Sequence, residues 1–432
     1  MRKRRLIIFT FFTIIILAIS LAGCGKHAAE ARNDNLTLEV ALYPYVPDLK
    51  RFQAVVQDAW EREHPDVTLH FADWDCYASD PDPTLDVFVF DGIYLSSFAR
   101  QGYLLPVPME TVQNAEDIFP FALEGCICGE ELYALPQLLC TDLLYTRKND
   151  TALSGISDTL TLYDILGDRK TEDVIPEENE GLLINLSGEL FTKTVMYLDA
   201  LMDEQQEYTD YSELPDTQSL SAEALERISV IWKMGGENQV SYWPEDNDPF
   251  VRARWFADGK GRAYIGYAEA MSVMGDYAED VDVRIFSYGS EKNISLFYED
   301  MVGISAGIDE DKKELAFELA NLLISEELLT AMSASAKTDD SPQYLLTPRK
   351  SVYDALSHDY PIYNLLRDIV DSDENHVFRM GADVRQFITD MEKTLSEHMR
   401  QLHHAALRRP HPSTASVRCT AALPSSRARR SV

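Results

Sequence analysis

The segment Leu85-Asp86-Val87-Phe88-Val89-Phe90-Asp91 constrains this chain more than any other. Large apolar residues follow one another without the alternation of a strand that has one wet face. The run therefore reads as a strand buried on both sides. Such a strand needs cover above and below, which places the chain in the α/β class. Its neighbours agree. Leu36-Thr37-Leu38-Glu39-Val40-Ala41-Leu42-Tyr43 alternates as a strand and breaks between Pro44 and Pro47. An amphipathic helix follows from about Asp48, with Phe52, Val55, Val56 and Trp60 on one face. Val67-Thr68-Leu69-His70-Phe71 is the next strand. The result is a βαβ-type unit with Tyr43, Trp74, Asp75, Tyr77 and Asp91 at the carboxyl ends of its strands, where open α/β sheets hold their ligands.

Both ends of the 432-residue chain differ from its middle. Met1-Arg2-Lys3-Arg4-Arg5 precedes an apolar stretch from Leu6 to Leu21, so residues 1–23 read as an export signal. Leu21-Ala22-Gly23-Cys24 resembles a bacterial lipobox, which makes Cys24 the acylated first residue of the mature protein. An uncleaved membrane anchor is the alternative, because the apolar stretch is nearly long enough to span. Residues 24–35 form a polar linker. At the far end, residues 403–432 are rich in Ala, Ser, Pro and Arg and contain no acid, and they read as a disordered basic tail foreign to the fold. The expected location is outside the cytoplasm, secreted or at the cell surface.

Formal net charge is −33, and both termini are basic, so the body between them is more acidic still. That field excludes nucleic acid as a partner and leaves membrane contact to the lipid on Cys24 alone. It would attract a cationic small molecule, but an acidic surface first of all keeps an exported protein soluble, and net charge locates no site. Of the six cysteines, Cys24 belongs to the lipobox and Cys419 to the tail. Cys126-Ile127-Cys128 is too tightly spaced for a redox or zinc motif, although either thiol can pair elsewhere in an oxidising compartment. No metal site is expected. Cys76, beside Tyr77 near the expected cleft, is a second candidate thiol, although its position suits packing better.

Cys140 stands apart. It closes the apolar run Leu135-Pro136-Gln137-Leu138-Leu139, just before Thr141-Asp142 and the strand-like Leu143-Leu144-Tyr145. A lone thiol is by default a packed, inert group. Here it sits where the chain leaves one folded half for another, in a pattern that resembles the crossover of bacterial extracellular solute-binding proteins. That likeness implies a two-lobed, periplasmic-binding-protein-like (type II) fold with a central cleft between mixed-sheet lobes. The first lobe would hold residues 36–143 and about 293–345, and the second 144–292 and about 346–402. Helices are expected near 187–206, 221–235 and 312–323, with closing helices to about Leu402.

Five further segments occur in order: Tyr43-Pro44-Tyr45-Val46-Pro47-Asp48, Leu85 to Asp91, Leu135 to Thr141, Gly266-Tyr267-Ala268-Glu269 with Met274 to Glu279, and Leu296-Phe297-Tyr298-Glu299-Asp300. Together they resemble bacterial thiaminase I (thiamine pyridinylase) across roughly residues 36–400. The resemblance implies a monomeric base-exchange transferase that needs no cofactor. Thiamine's pyrimidinylmethyl group would pass to a nucleophilic co-substrate such as a pyridine, an aniline or a thiol, and the thiazole would leave. It assigns Cys140 as the nucleophile that adds to the pyrimidine ring. Glu269, after the strand-like Ala263-Tyr264-Ile265, would be the base that takes the Cys140 proton and later deprotonates the acceptor. Asp91 and Asp300 would meet the aminopyrimidine, and Tyr43, Tyr77, Tyr267 and Tyr298 would line the cleft with faces suited to a flat cation. Asp91 has a second possible use, capping the helix expected from Ile93 to Arg100. Phe250 departs from the family pattern, which has a tyrosine before Val251-Arg252-Ala253, and this removes one polar contact from the cleft wall.

Two other readings compete. A solute-binding lipoprotein of an ABC transporter for thiamine, a sugar or a peptide would share both fold and lipobox. The Cys140–Glu269 pair separates it from the enzyme, because a binding protein has no use for a nucleophile. A thiol hydrolase would pair Cys140 with His64, His70 or His358, none of which stands in a protease motif.

Overall fold

The structure is a computed structural model that describes residues 36–188, 192–289, 293–335 and 341–407. The export signal, Cys24, the linker and the tail beyond Leu407 lie outside the described residues. Twelve strands are described: β1 (Leu36–Ala41), β2 (Val67–Phe71), β3 (Val87–Asp91), β4 (Ile127–Cys128), β5 (Glu131–Leu132), β6 (Ala134–Cys140), β7 (Leu143–Arg147), β8 (Glu178–Leu183), β9 (Gly261–Gly266), β10 (Val281–Ile285), β11 (Leu296–Ile304) and β12 (His376–Val377). The first sheet runs β12-β11-β3-β1-β2 with β6 also paired to β11, and the second runs β10-β7-β9-β8. Parallel β1–β2 and β1–β3 pairs beside antiparallel β11–β3 and β11–β6 pairs make the first sheet mixed.

All five residues of β3 are buried. Phe90 packs on Phe98 of the Leu95–Gln101 helix at 5.2 Å between ring centroids, and Phe88 meets Trp74 at 5.4 Å. Aromatic contacts of this kind cover the strand, which is why its sequence does not alternate. The first helix spans Leu49–Glu63 and buries Phe52, Val56, Ala59 and Trp60, while Asp48 caps it by accepting from the Arg51 amide at 3.0 Å. β11 is buried at every one of its nine positions and carries Tyr298 and Asp300 through the middle of the molecule.

Only Thr141 and Asp142 separate β6 in the first sheet from β7 in the second. The chain crosses there, and it crosses back between β10 and β11. These two passages set the cleft.

One boundary differs from expectation. The stretch after residue 346, assigned on sequence to the second lobe, returns first to the first lobe. The Arg349 guanidinium is 2% exposed and donates to the carbonyls of Gln113, Asn114 and Ile324. Ser351 bonds to Asp117, Tyr353 packs on Phe119, and β12 pairs with β11. Burying an arginine requires that each of its donors find a partner, and those carbonyls lie on first-lobe segments. The helix Val384–Leu407 then touches both lobes. It packs on the Thr192–Gln205 helix, while Arg385 at its start donates to the carbonyls of Cys76, Tyr77 and Ser79. This helix also continues to Leu407, five residues into the segment read as tail.

Candidate active site

Strand ends from both sheets converge on a cavity of about 540 Å³. Cys140 enters it from the end of β6. Asp91 enters from the end of β3, and Asp300 stands directly opposite Asp91 in the β11–β3 register. Tyr298 pairs with Cys140 in the β11–β6 register. From the second sheet, β9 ends at Gly266 and the following turn presents Tyr267 and Glu269. Gly266 answers a steric demand, since a Cβ there would lie 2.0 Å from the Tyr264 hydroxyl. The Tyr145 hydroxyl holds the Tyr267 carbonyl at 2.7 Å, and the Ser272 hydroxyl holds the Glu269 carbonyl at 2.6 Å. Tyr43 and Tyr77 complete the wall, so all eight residues singled out on sequence face one cavity.

Asp91 caps the turn that follows β3 and also accepts a hydrogen bond on the cavity wall. Its Oδ1 accepts from the Ile93 amide at 2.9 Å, capping the turn, and its Oδ2 accepts from the Tyr77 hydroxyl at 2.6 Å. The Tyr43 and Tyr77 hydroxyls lie 2.9 Å apart and share a hydrogen bond. Burial first, then the Asp91 and Glu269 carboxylates, push Asp300 well above the usual carboxylate range, while a hydrogen bond with Tyr43 pulls the other way. The two phenols thus link the Asp91 and Asp300 carboxyl groups.

Burial pushes Glu269 up to about 7, so it is poised to exchange a proton near neutrality. The Cys140 thiol is also raised, by burial first and then by Glu269, Asp300, Asp91 and Asp142. It therefore rests as a thiol and becomes a nucleophile only as its proton leaves.

Sequence reasoning passed over several residues of the wall. Asp142 lies on the crossover, and its Oδ2 accepts from Tyr288 at 3.0 Å and from Tyr298 at 3.2 Å. Burial raises it to about 6, with the two phenols pulling the other way. Tyr264, Trp243 and Arg252 close the second-lobe side. Arg252 is 2% exposed, and its Nη2 donates to the carbonyls of Gln239, Val240 and Tyr242 while its Nε finds no partner among the described residues. The signal for Asp142 was its place two residues past the thiol; the others carried none. Phe250 lies on the wall, where its ring offers no hydrogen bond.

No histidine is among the residues that line the cavity. His64 stacks on Trp60, His70 pairs with Glu39, and His358 is exposed beside Asp359, which removes the thiol-hydrolase reading. Cys76 and Cys126 are buried, and Cys128 and Cys140 half-buried, all as free thiols. Cys76 packs in the core, off the cavity wall.

The Thiaminase-1 domain family matches residues 141–289. The chain is 43% identical over 390 residues to Thiaminase-1 of Paenibacillus thiaminolyticus, covering 90% of this chain and 94% of that protein. Among solved structures it is similar to Clostridium botulinum thiaminase I in complex with thiamin, with a TM-score of 0.82 and 44% identity over 84% of this chain and all of that one. A maltose-bound protein of T. maritima matches at 15% identity with a TM-score of 0.59, covering 85% of this chain and 100% of that one. That last likeness speaks for the two-lobed binding-protein fold and for nothing finer.

Proposed function

The chain belongs to the thiaminase I family of thiamine-cleaving transferases, and from that premise we propose that Cys140 is its nucleophile and Glu269 the base that serves it. The observation that carries this reading is the cavity wall shared by a half-buried thiol and a carboxyl titrating near neutrality. Thiamine carries a flat, permanently cationic thiazolium, and the acidic, tyrosine-lined cavity suits it.

The steps follow from the groups present. The Cys140 sulfur bonds to the pyrimidine carbon beside the bridging methylene as its proton passes to Glu269. Electron density arriving on the ring is met by Asp300, whose raised pKa lets the carboxyl lend a proton to a ring nitrogen and take it back when the ring regains aromaticity. The bond from methylene to thiazolium nitrogen then breaks, and its electron pair leaves with a neutral thiazole. An acceptor bonds to the methylene, the bond from carbon to Cys140 breaks, and the sulfur recovers a proton as the ring regains aromaticity. A pyridine acceptor ends as a pyridinium and yields no proton; an aniline or a thiol gives one up to Glu269 and then to water.

Incubation of the purified body with thiamine and a pyridine is expected to release free thiazole, read by mass spectrometry. Thiamine retained intact would sink the transferase reading and leave a binding protein. We also propose that the chain is exported and held by lipid on Cys24, motivated by the Leu21-Ala22-Gly23-Cys24 sequence after an apolar leader. Incorporation of labelled fatty acid should be lost in Cys24→Ala; labelling that persists would put the lipid elsewhere.

A further inference from the structure

Resting on the reading of this cavity as a thiamine-cleaving centre, we propose that Asp142 is the residue that selects the cationic ring of the substrate. β11 serves as a ruler along the cavity. Asp300 pairs with Asp91 on one side and with Leu138 on the other, while Tyr298 pairs with Cys140. Two residues of strand separate those positions, about 7 Å at the usual rise. Asp142 continues in the same direction, two residues past Cys140, and Tyr298 reaches it by hydrogen bond. The order along the wall is thus the Asp91–Asp300 pair, then the thiol, then Asp142.

That order orients the substrate. The carbon under attack must sit at Cys140, and the polar edge of the aminopyrimidine belongs to Asp91 and Asp300. The methylene and the thiazolium beyond it then point toward Asp142. The groups around Asp142 suit a cation. Tyr288 and Tyr298 both bond to Oδ2, and no group among the described residues donates to Oδ1. No lysine or arginine among the described residues pairs with the carboxylate either. Tyr264, Tyr267, Tyr288 and the Cys140 thiol line the cavity around it, and the buried Asp199 carboxyl lies behind. Tyr267 and Tyr298 stand edge to face at 5.9 Å between centroids and present ring faces to a flat cation. A largely buried carboxylate without a cationic partner is costly, and a ligand that supplies the charge removes the cost.

The chemistry then turns the same contact into a release device. The thiazolium is positive until its bond to the methylene breaks, and the electron pair it takes away leaves it neutral. Asp142 therefore holds the substrate and has no charge to hold in the product. This predicts an effect on KM larger than any on kcat.

The test uses the full mature protein and two probes, an N-methylated thiazolium and the matching neutral thiazole, as inhibitors of thiamine turnover. Wild type is expected to bind the cation at least tenfold more tightly than the neutral ring; equal inhibition by the two would overturn the proposal without any variant. Asp142→Asn is expected to raise KM for thiamine and the inhibition constant of the cation by roughly thirtyfold, with the neutral thiazole shifted less than twofold. Asp142→Glu should recover most of the preference, because the charge is kept. Equal weakening of both probes would mark Asp142 as merely structural, and so would a fall in kcat with KM unchanged. Absence of turnover in wild type would instead refute the functional reading, so the two failures are distinguishable.

Discussion

Cys140→Ser is expected to lower thiamine turnover about a thousandfold or more while thiamine still binds. The cavity already resists ionisation of a thiol, because burial and four nearby carboxyl groups raise its pKa. A serine hydroxyl is a far weaker acid than a thiol, and the same surroundings would keep it neutral throughout. Its oxygen is also the poorer nucleophile toward an aromatic carbon and the poorer group to expel afterwards. Fold and binding should survive. Cys140 ends a strand and is half-buried on the cavity wall, and the serine hydroxyl that would replace the sulfur is smaller, so it adds no clash. Steady-state rates with a pyridine or an aniline, set beside calorimetric titration with thiamine, separate the two effects. Turnover at the wild-type rate in the serine variant would remove the covalent step from the mechanism.

The second large effect belongs to Glu269→Gln. Loss of the base is expected to cut kcat by about a hundredfold to ten-thousandfold, with a smaller change in thiamine affinity. The pH profile gives a sharper readout. A carboxyl raised to about 7 must lose its proton before it can take one from Cys140, so activity should climb as pH rises through about 7. In the glutamine variant that acidic limb should vanish. Stability runs the other way. Glu269 binds its proton more tightly in the fold than in the unfolded chain, so this contribution to stability is complete below the ordinary carboxylate range. It is lost as pH rises through about 7. Glutamine never ionises, and the variant should therefore resist denaturant better than wild type at pH 8 while working far more slowly. A variant both slower and less stable at that pH would mean that Glu269 is held by partners other than those found in the structure.

Much of this site could be read in the order of residues. Asp91 and Cys140 each end an apolar run, and a strand that ends in a polar residue at the carboxyl edge of a sheet delivers that residue to a ligand. Glu269 follows a β9 strand and a glycine whose lack of a side chain leaves room for Tyr264. Asp142 shows the opposite case. Its partners Tyr288 and Tyr298 are 146 and 156 residues away, and apart from its place two residues past the thiol nothing distinguishes it from the many other acids of an acidic chain. The lobe assignment after residue 346 failed for a related reason. Nothing in Arg349 or its flanking residues announces three carbonyl partners more than twenty residues away.

The sequence by itself determined which segments are strands and helices, which face of each is apolar, and which chemical groups stand at their ends. These follow from periodicity and local sterics, which act over a few residues. Only the tertiary structure decided which groups share the cavity and in what state of charge. The raised pKa of Asp300, the neutral Cys140 thiol and the poised Glu269 carboxyl all depend on burial and on neighbours brought from β3, β6, β9 and β11. A pKa reports distance from water and from other charges, and neither exists until the lobes are assembled.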